Sequence, residues 1–475
     1  MNLSTRRQSV FSRESLRRFT TFAKVREYRP EEAFPDLPDA AENEVDDGNK
    51  CGQEGKSMMT PRLSASLTKA GYGLVGNHSA VKVCRWTKKQ LQGRGGCYKH
   101  TFYGIESHRC METTTFLACA NRCVFCWRHH THPVAKDFTR WKPDPPDMLI
   151  EKAIETHRLM IKPLKGLVGA TKERYEEAMN PRHCALSLVG EPIVYPYINE
   201  FVQMLHDRSI SSFIVTNGQH PESIDGLVTP VTQLYISVDA PDPVTLKLIG
   251  RPLFKDYWDR LRQSLMNLSQ RTERTVARLT VVKRWNDKDV EGYAELVRLG
   301  NPDFVEIKAF TYPGPTPSIK EANLTINNCP TGQDILTFGQ KLIDALKGNS
   351  GSGNDQKQWE IASLHLHSNS VLLASNEFQL TPDEPSDDGT RWKTWINYDT
   401  FHALIRDNAP ELGHRDPMGL FSSRLASLYR RHSPSWASVD SPLGGFDPQF
   451  DTKGWIAQLA NRRVHEQHDE HLDEQ

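Results

Sequence analysis

CANRCVFC, residues 119–126, places thiols at Cys119, Cys123 and Cys126, separated by three and then two residues. Three thiolates in so tight a loop suit three corners of an iron–sulfur cubane, or a tetrahedral zinc. As cluster ligands they leave one metal corner open. As a zinc knuckle they need a fourth ligand, for which His129, His130 and His132 are at hand.

Downstream of this loop the chain alternates in type. β-rich runs fall at CALSLVG (184–190), SSFIVTN (211–217), TQLYISVDA (232–240), TVARLTVVK (275–283) and DFVEIKAF (303–310). Between them, residues 148–162, 198–208, 257–270 and 290–300 carry apolar side chains at helical spacing. Strand–helix alternation predicts an α/β fold with a parallel sheet and helices outside it. About six such units make a partial or full barrel, with its chemistry at the C-terminal ends of the strands. The motif loop falls where the loop after a first strand belongs. After the next strand comes LVGEP (188–192), in which Gly190 admits close approach of backbone to a ligand, followed by Glu191 and Pro192. Asn217, Ser237 and Asp239 close the third and fourth strands. They read equally as ligand contacts and as helix caps or turn formers.

Upstream stand Cys84, Cys97 and Cys110, thirteen positions apart each time. They read either as ligands of a second cluster or as core cysteines. Lys99 lies two residues past Cys97, in GRGGCYKH (93–100). A lysine in a cationic cluster environment is able to form a Schiff base, whereas a solvated surface lysine is not. Arg94 in the same stretch suits phosphate or carboxylate.

The bulk properties frame these motifs. The 475 residues carry 59 basic and 59 acidic side chains, so net charge announces no nucleic-acid partner. The charge is segregated, however. Residues 82–142 are crowded with Lys, Arg and His, while acids dominate 31–47 and the end from Glu466, as a phosphate-binding face would require. Six of the nine cysteines lie between Cys84 and Cys126, which in a reducing compartment means metal rather than disulfides. No apolar run is long enough for a membrane helix. The first thirty residues are rich in Arg and Ser, as in a mitochondrial transit peptide or, more blandly, a solvated tail; the expected location is cytoplasmic.

With Phe125 between its last two cysteines, the 119–126 loop resembles the signature of the radical S-adenosylmethionine (SAM) superfamily. That resemblance implies a [4Fe–4S] cluster whose open iron chelates S-adenosylmethionine, with Phe125 near the adenine. It further implies that Gly190, Glu191 and Pro192 form the element that binds the methionine amino group. More closely, residues 81–134 resemble the 4-demethylwyosine synthases of wybutosine biosynthesis. Similar segments recur at 183–196, 233–241, 251–258, 278–286 and 299–312, so the likeness runs from about Gly71 to Phe446. The resemblance implies that a 5′-deoxyadenosyl radical removes hydrogen from the methyl group of N1-methylguanosine, 3′ of the anticodon in phenylalanine tRNA. The carbon radical adds to pyruvate, which loses its carboxyl carbon, and ring closure gives a tricyclic base. By the same resemblance, Cys84, Cys97 and Cys110 bind a second iron–sulfur cluster, and Lys99 matches the lysine that forms the pyruvate imine. The target nucleotide would be splayed into the barrel mouth, with RWTKK (85–89) and WRHHTHP (127–133) gripping the RNA.

These inferences divide the chain into a disordered leader (1–60), an auxiliary-cluster and pyruvate segment (61–118), a radical SAM barrel core (119–347) and a C-terminal extension disordered at its end (348–475). Residues 348–356 and 381–390 read as surface loops. Eukaryotic family members usually carry an N-terminal flavodoxin-like domain with FMN. Fewer than about eighty residues precede the match here, too few for such a domain. The expectation is an external reductase, or a sequence cut short. At SLHLHSNSVLLAS (363–375) and WASVDSPLGGFDP (436–448) the chain departs from the family pattern. The rival functions are another radical SAM tRNA-modifying reaction and a non-catalytic, zinc-stabilised RNA-binding protein.

Overall fold

A computed structural model describes residues 57–126, 132–348, 357–381, 384, 389–408 and 424–450. Its centre is a ten-stranded sheet: β1 (Gly73–Val75), β2 (Ser79–Lys82), β3 (Cys110–Thr114), β4 (His183–Leu186), β5 (Ser211–Thr216), β6 (Gln233–Ser237), β7 (Arg274–Val281), β8 (Phe304–Ala309), β9 (Trp359–His365) and β10 (Ser370–Ser375). Strands β3 to β8 are parallel and adjacent in chain order, each next strand reached through a helical crossover. This is the expected six-strand partial barrel. β2 and β1 add antiparallel to the β3 edge, while β10 and then β9 add antiparallel to the β8 edge.

Side chains alternate across the strands, so two cores form. Ile214, Leu234, Ile236, Ala277, Val305 and Ile307 face outward, into one cluster with the crossover helices. Phe213, Tyr235, Val276, Phe304 and Leu372 face inward and pack on Tyr98, Phe102 and Tyr103 of the short helix Tyr98–Tyr103. That helix fills one end of the barrel. Its last carbonyls are claimed by residues nearly three hundred positions away. Trp395 Nε1 donates to Thr101 O at 2.9 Å, Thr394 Oγ1 to Phe102 O at 2.8 Å and Tyr398 OH to Tyr103 O at 3.0 Å. Helix-end carbonyls have no partner within the helix, so these bonds satisfy groups that burial would otherwise strand.

The four helices read from the sequence appear at Pro146–Ile161, Ile198–Asp207, Tyr257–Ser269 and Val290–Gly300. β4 is shorter than its β-rich run because residues 187–190 leave the ladder for the LVGEP turn. The leader up to residue 56, the loop at 349–356 and most of 382–388 lie outside the described residues. Among the described residues no helix is long and apolar enough to cross a membrane.

Candidate active site

The 119–126 loop leaves the C-terminal end of β3 and is pinned by the far end of another helix. Helix Pro243–Gly250 starts on Asp242, whose carboxylate accepts the Thr245 N–H at 2.9 Å, with Pro243 pre-set for the first turn. At its other end, Ile249 O and Gly250 O accept the backbone N–H groups of Val124 and Arg122, each at 2.9 Å. The carbonyls freed by helix termination thus shape the thiol loop. Phe125 packs half-buried on a cluster that includes Val282 and Phe310, the residues just past β7 and β8. Cys119, Cys123, Cys126 and Phe125 therefore sit at the barrel mouth, on the C-terminal side of the strands. His132 is buried with its ring edge-on to Tyr72 at 5.8 Å. His129 and His130 lie outside the described residues.

The other candidate contacts ring the same mouth, with unequal roles. Asn217 follows β5, and its Nδ2 donates to Cys119 Sγ at 3.3 Å. Its Oδ1 also closes a turn by accepting Gln219 N–H at 2.9 Å, the turn-forming reading of this residue. Glu191 is buried and accepts the Asn217 N–H at 3.0 Å, and burial pushes its carboxyl up to about 7. Gly190 adopts φ +75° because a Cβ there would stand 1.9 Å from Phe116 O and 2.7 Å from Leu117 C. The close approach it permits is to the protein's own backbone at the thiol loop's entrance. Pro192 O accepts from Thr115 Oγ1 at 2.9 Å, tying the same turn to the end of β3. Ser237 lies half-buried at the C-terminal end of β6. Asp239 accepts the Thr280 N–H at 3.0 Å, bracing β6 against β7; burial raises its carboxyl.

The upstream cysteines converge although twenty-six positions separate the first from the last. Cys84 precedes helix Arg85–Leu91, Cys97 precedes helix Tyr98–Tyr103, and Cys110 opens β3. Cys84 and Cys97 both act electrostatically on Cys110, as does Lys99. Burial, aided by Glu112, pushes the Cys84 thiol up to about 12, and burial also raises Cys110 well above the ordinary thiol range. Metal binding requires thiolates, so bound iron would have to supply the compensating charge. The donor set fits that role: three sulfurs, backed by Ser107 Oγ donating to Cys97 Sγ at 3.4 Å and Thr87 Oγ1 lying 3.4 Å from Cys84 Sγ. Among the described residues no three His, Cys, Asp or Glu groups gather as ligands of a single metal ion. Thiolates spread over the corners of a cluster do not need to.

Lys99 is only 8% exposed, its ammonium 5.0 Å from the centre of the Tyr235 ring inside the barrel. A solvated surface lysine is thereby excluded. Around it stand residues that the sequence reading missed. Glu112 on β3, Arg278 on β7, and Glu306 and Lys308 on β8 project inward and form one electrostatic cluster with Lys99. Burial pushes the Lys308 ammonium down to about 8. The signal lay in the spacing: charged residues at alternate positions of strands otherwise buried on both faces.

The rim is aromatic and cationic. Trp86 has the Arg85 guanidinium and the Lys89 ammonium each 4.9 Å from its ring centre. His365 and His367 stand 5.5 and 6.3 Å from it, and Phe446 lies 4.3 Å from His367. β9 runs parallel to β8, so its terminal His365 reaches the mouth side of the sheet. Of the other basic segment, residues 127–131 lie outside the described residues.

A six-strand partial barrel with a three-thiol loop at its mouth defines the radical SAM class, and residues 113–297 match the radical SAM superfamily. Residues 299–375 match the family of wyosine base formation. The S-adenosyl-L-methionine-dependent tRNA 4-demethylwyosine synthase TYW1 of Mus musculus is 50% identical over 400 residues, covering 84% of this chain and 51% of the relative. The synthase of Arabidopsis thaliana is 50% identical over 394 residues, covering 83% and 56%. The solved structure of TYW1 with a lysine–pyruvate adduct bound superposes with a TM-score of 0.58 at 28% identity, covering 69% of this chain and 100% of that one. Archaeal TYW1 gives 0.52 at 27% identity, covering 68% and 99%. Residues 113–375 thus carry a radical SAM domain followed by a wyosine base-formation domain, and the chain is similar in sequence to the tRNA 4-demethylwyosine synthases. It spans about half the length of the curated relatives it matches.

Proposed function

We propose that this chain performs the radical SAM step that builds 4-demethylwyosine in tRNA, from N1-methylguanosine 3′ of the anticodon in phenylalanine tRNA and pyruvate. The observation that carries the reading is Lys99, buried in the barrel beside Cys84, Cys97 and Cys110 and beneath a mouth that holds the second thiol triad. A related structure holds a lysine–pyruvate adduct.

Cys119, Cys123 and Cys126 would hold the [4Fe–4S] cluster, and Cys84, Cys97 and Cys110 the second cluster. When bound, the first cluster and S-adenosylmethionine supply the radical that abstracts hydrogen. The protein's own residues do the rest. Asn217 donates toward the Cys119 sulfur, and Glu191 fixes Asn217 through its backbone N–H. Phe125, Ser237 and Asp239 line the mouth where the cofactor would lie. Lys99 offers its amine to the pyruvate ketone, while Phe102 and Tyr103 close the barrel below it and exclude water. Trp86 and His367 present flat rings between cations, which suits a base splayed out of an anticodon loop.

The test is anaerobic reconstitution with iron and sulfide, followed by incubation with dithionite, S-adenosylmethionine, pyruvate and the methylated tRNA. Nucleoside mass spectrometry should find the tricyclic base. Deoxyadenosine without that base would retain the radical chemistry and refute the substrate. A colourless, zinc-loaded protein yielding neither would refute the whole reading.

A further inference from the structure

Glu306 lies on β8 facing into the barrel, 1% exposed. Neither of its carboxyl oxygens is bonded to backbone, and the side-chain hydroxyl that acts on it is that of Tyr103, itself buried with no other partner. One hydroxyl leaves most of a carboxyl's hydrogen-bonding capacity unused, and an under-satisfied buried carboxyl costs free energy unless it has a further role. The charges that act on Glu306 come from three elements: Lys99 on the helix that fills the barrel, Arg278 directly across the ladder on β7, and Lys308 two residues along β8. Two other buried carboxylates at the mouth are tied to backbone, Glu191 to Asn217 N–H and Asp239 to Thr280 N–H, whereas Glu112 on β3 shares the cationic cluster with Glu306.

We infer that Glu306 is the proton donor for imine formation at Lys99, and that Arg278 and Lys308 seat the carboxylate of the 2-oxo acid. This rests on the reading of Lys99 given above. The neutral Lys99 amine adds to the ketone carbon; a C–N bond forms, and one amine proton moves to the carbonyl oxygen. The resulting carbinolamine loses its hydroxyl, which departs as water with the proton of Glu306. The products are a protonated imine on Lys99 and the Glu306 carboxylate, one positive and one negative charge formed together. Burial raises the Glu306 carboxyl, which favours the protonated acid that this step consumes. Two fixed cations against the substrate's single carboxylate leave one to balance the ionised Glu306.

The test needs no radical chemistry. The cluster-reconstituted chain is mixed with pyruvate and cyanoborohydride, and growth of the reduced pyruvyl–lysine adduct is followed by intact mass and peptide mapping. Glu306→Gln should slow trapping by about a hundredfold, with little change in the pyruvate concentration giving half-maximal rate or in the melting temperature. Glu306→Asp should recover part of the loss, since it restores an ionisable acid. Trapping by the Gln variant within about twofold of wild type would overturn the proposal, as would an Asp variant no faster than Gln. Absence of adduct on Lys99 in the wild-type protein would instead overturn the underlying reading.

Discussion

Gly190 is where the sequence motif and the packing can be separated by one methyl group. In Gly190→Ala the new Cβ meets Phe116 O at 1.9 Å and Leu117 C at 2.7 Å, and both are backbone atoms that have no rotamer to yield. The residue must also keep a φ of +75°, a left-handed conformation costing a non-glycine residue roughly 1–2 kcal/mol. Overpacking a rigid site adds about 1–3 kcal/mol. The sum is about 2–5 kcal/mol. Gly71 is the internal control. Its φ is +80°, but nothing lies within 4 Å of an added Cβ, so Gly71→Ala carries the conformational part alone. Urea unfolding followed by tryptophan fluorescence compares the two through the shift in midpoint at constant slope. The expected order is Gly190→Ala far below Gly71→Ala, with Gly71→Ala slightly below wild type. Equal shifts would refute the claim that Gly190 is fixed by the Phe116–Leu117 backbone. An unshifted Gly190→Ala that fails only to bind S-adenosylmethionine would return the glycine to a purely ligand-facing role.

Asn217→Ala removes the donor to Cys119 Sγ, and loss of such an outer partner commonly lowers activity by about 10–100-fold. Deoxyadenosine formation should fall by that amount, with the cluster's spectrum altered but iron retained. Trp86→Ala should weaken tRNA affinity by about 1–3 kcal/mol, measured by filter binding at fixed salt, while leaving pyruvate trapping on Lys99 unchanged. Acid should destabilise the fold. Burial lowers His157 and His220 to about 4 and His206 to about 3. Unfolded histidines titrate near 6.5, so the unfolded chain binds protons first as pH falls. Stability is complete above that value and declines toward pH ~4, each histidine contributing up to about 1.4 kcal/mol per pH unit. Melting temperature against pH should show the decline, and a flat profile between pH 7 and 5 would contradict it.

The parts legible in the sequence were those fixed by local spacing. The 119–126 triad, the four amphipathic helices and the order of the parallel strands each occupy a short contiguous stretch, and all took their expected places in the fold. Lys99 was not legible from its own neighbourhood. It is buried because Thr394, Trp395 and Tyr398 cap the carbonyls of its helix from a distant part of the chain. The β9–β10 hairpin entered the sequence reading only as a departure from the family pattern at 363–375, although it extends the sheet and carries His365 to the rim. Arg278, Glu306 and Lys308 were hidden inside runs read as core strands. Only their alternation with Leu279 and Ile307, which face the outer core, shows that they point inward.

The central claim is that Lys99, between the two thiol triads, is where the second substrate condenses. The most direct test compares wild type and Lys99→Ala in the reconstituted reaction, with deoxyadenosine and modified tRNA nucleosides counted in the same samples. The account predicts that Lys99→Ala still cleaves S-adenosylmethionine but forms no 4-demethylwyosine. Formation of the tricyclic base at the wild-type rate by the Lys99→Ala protein would contradict it.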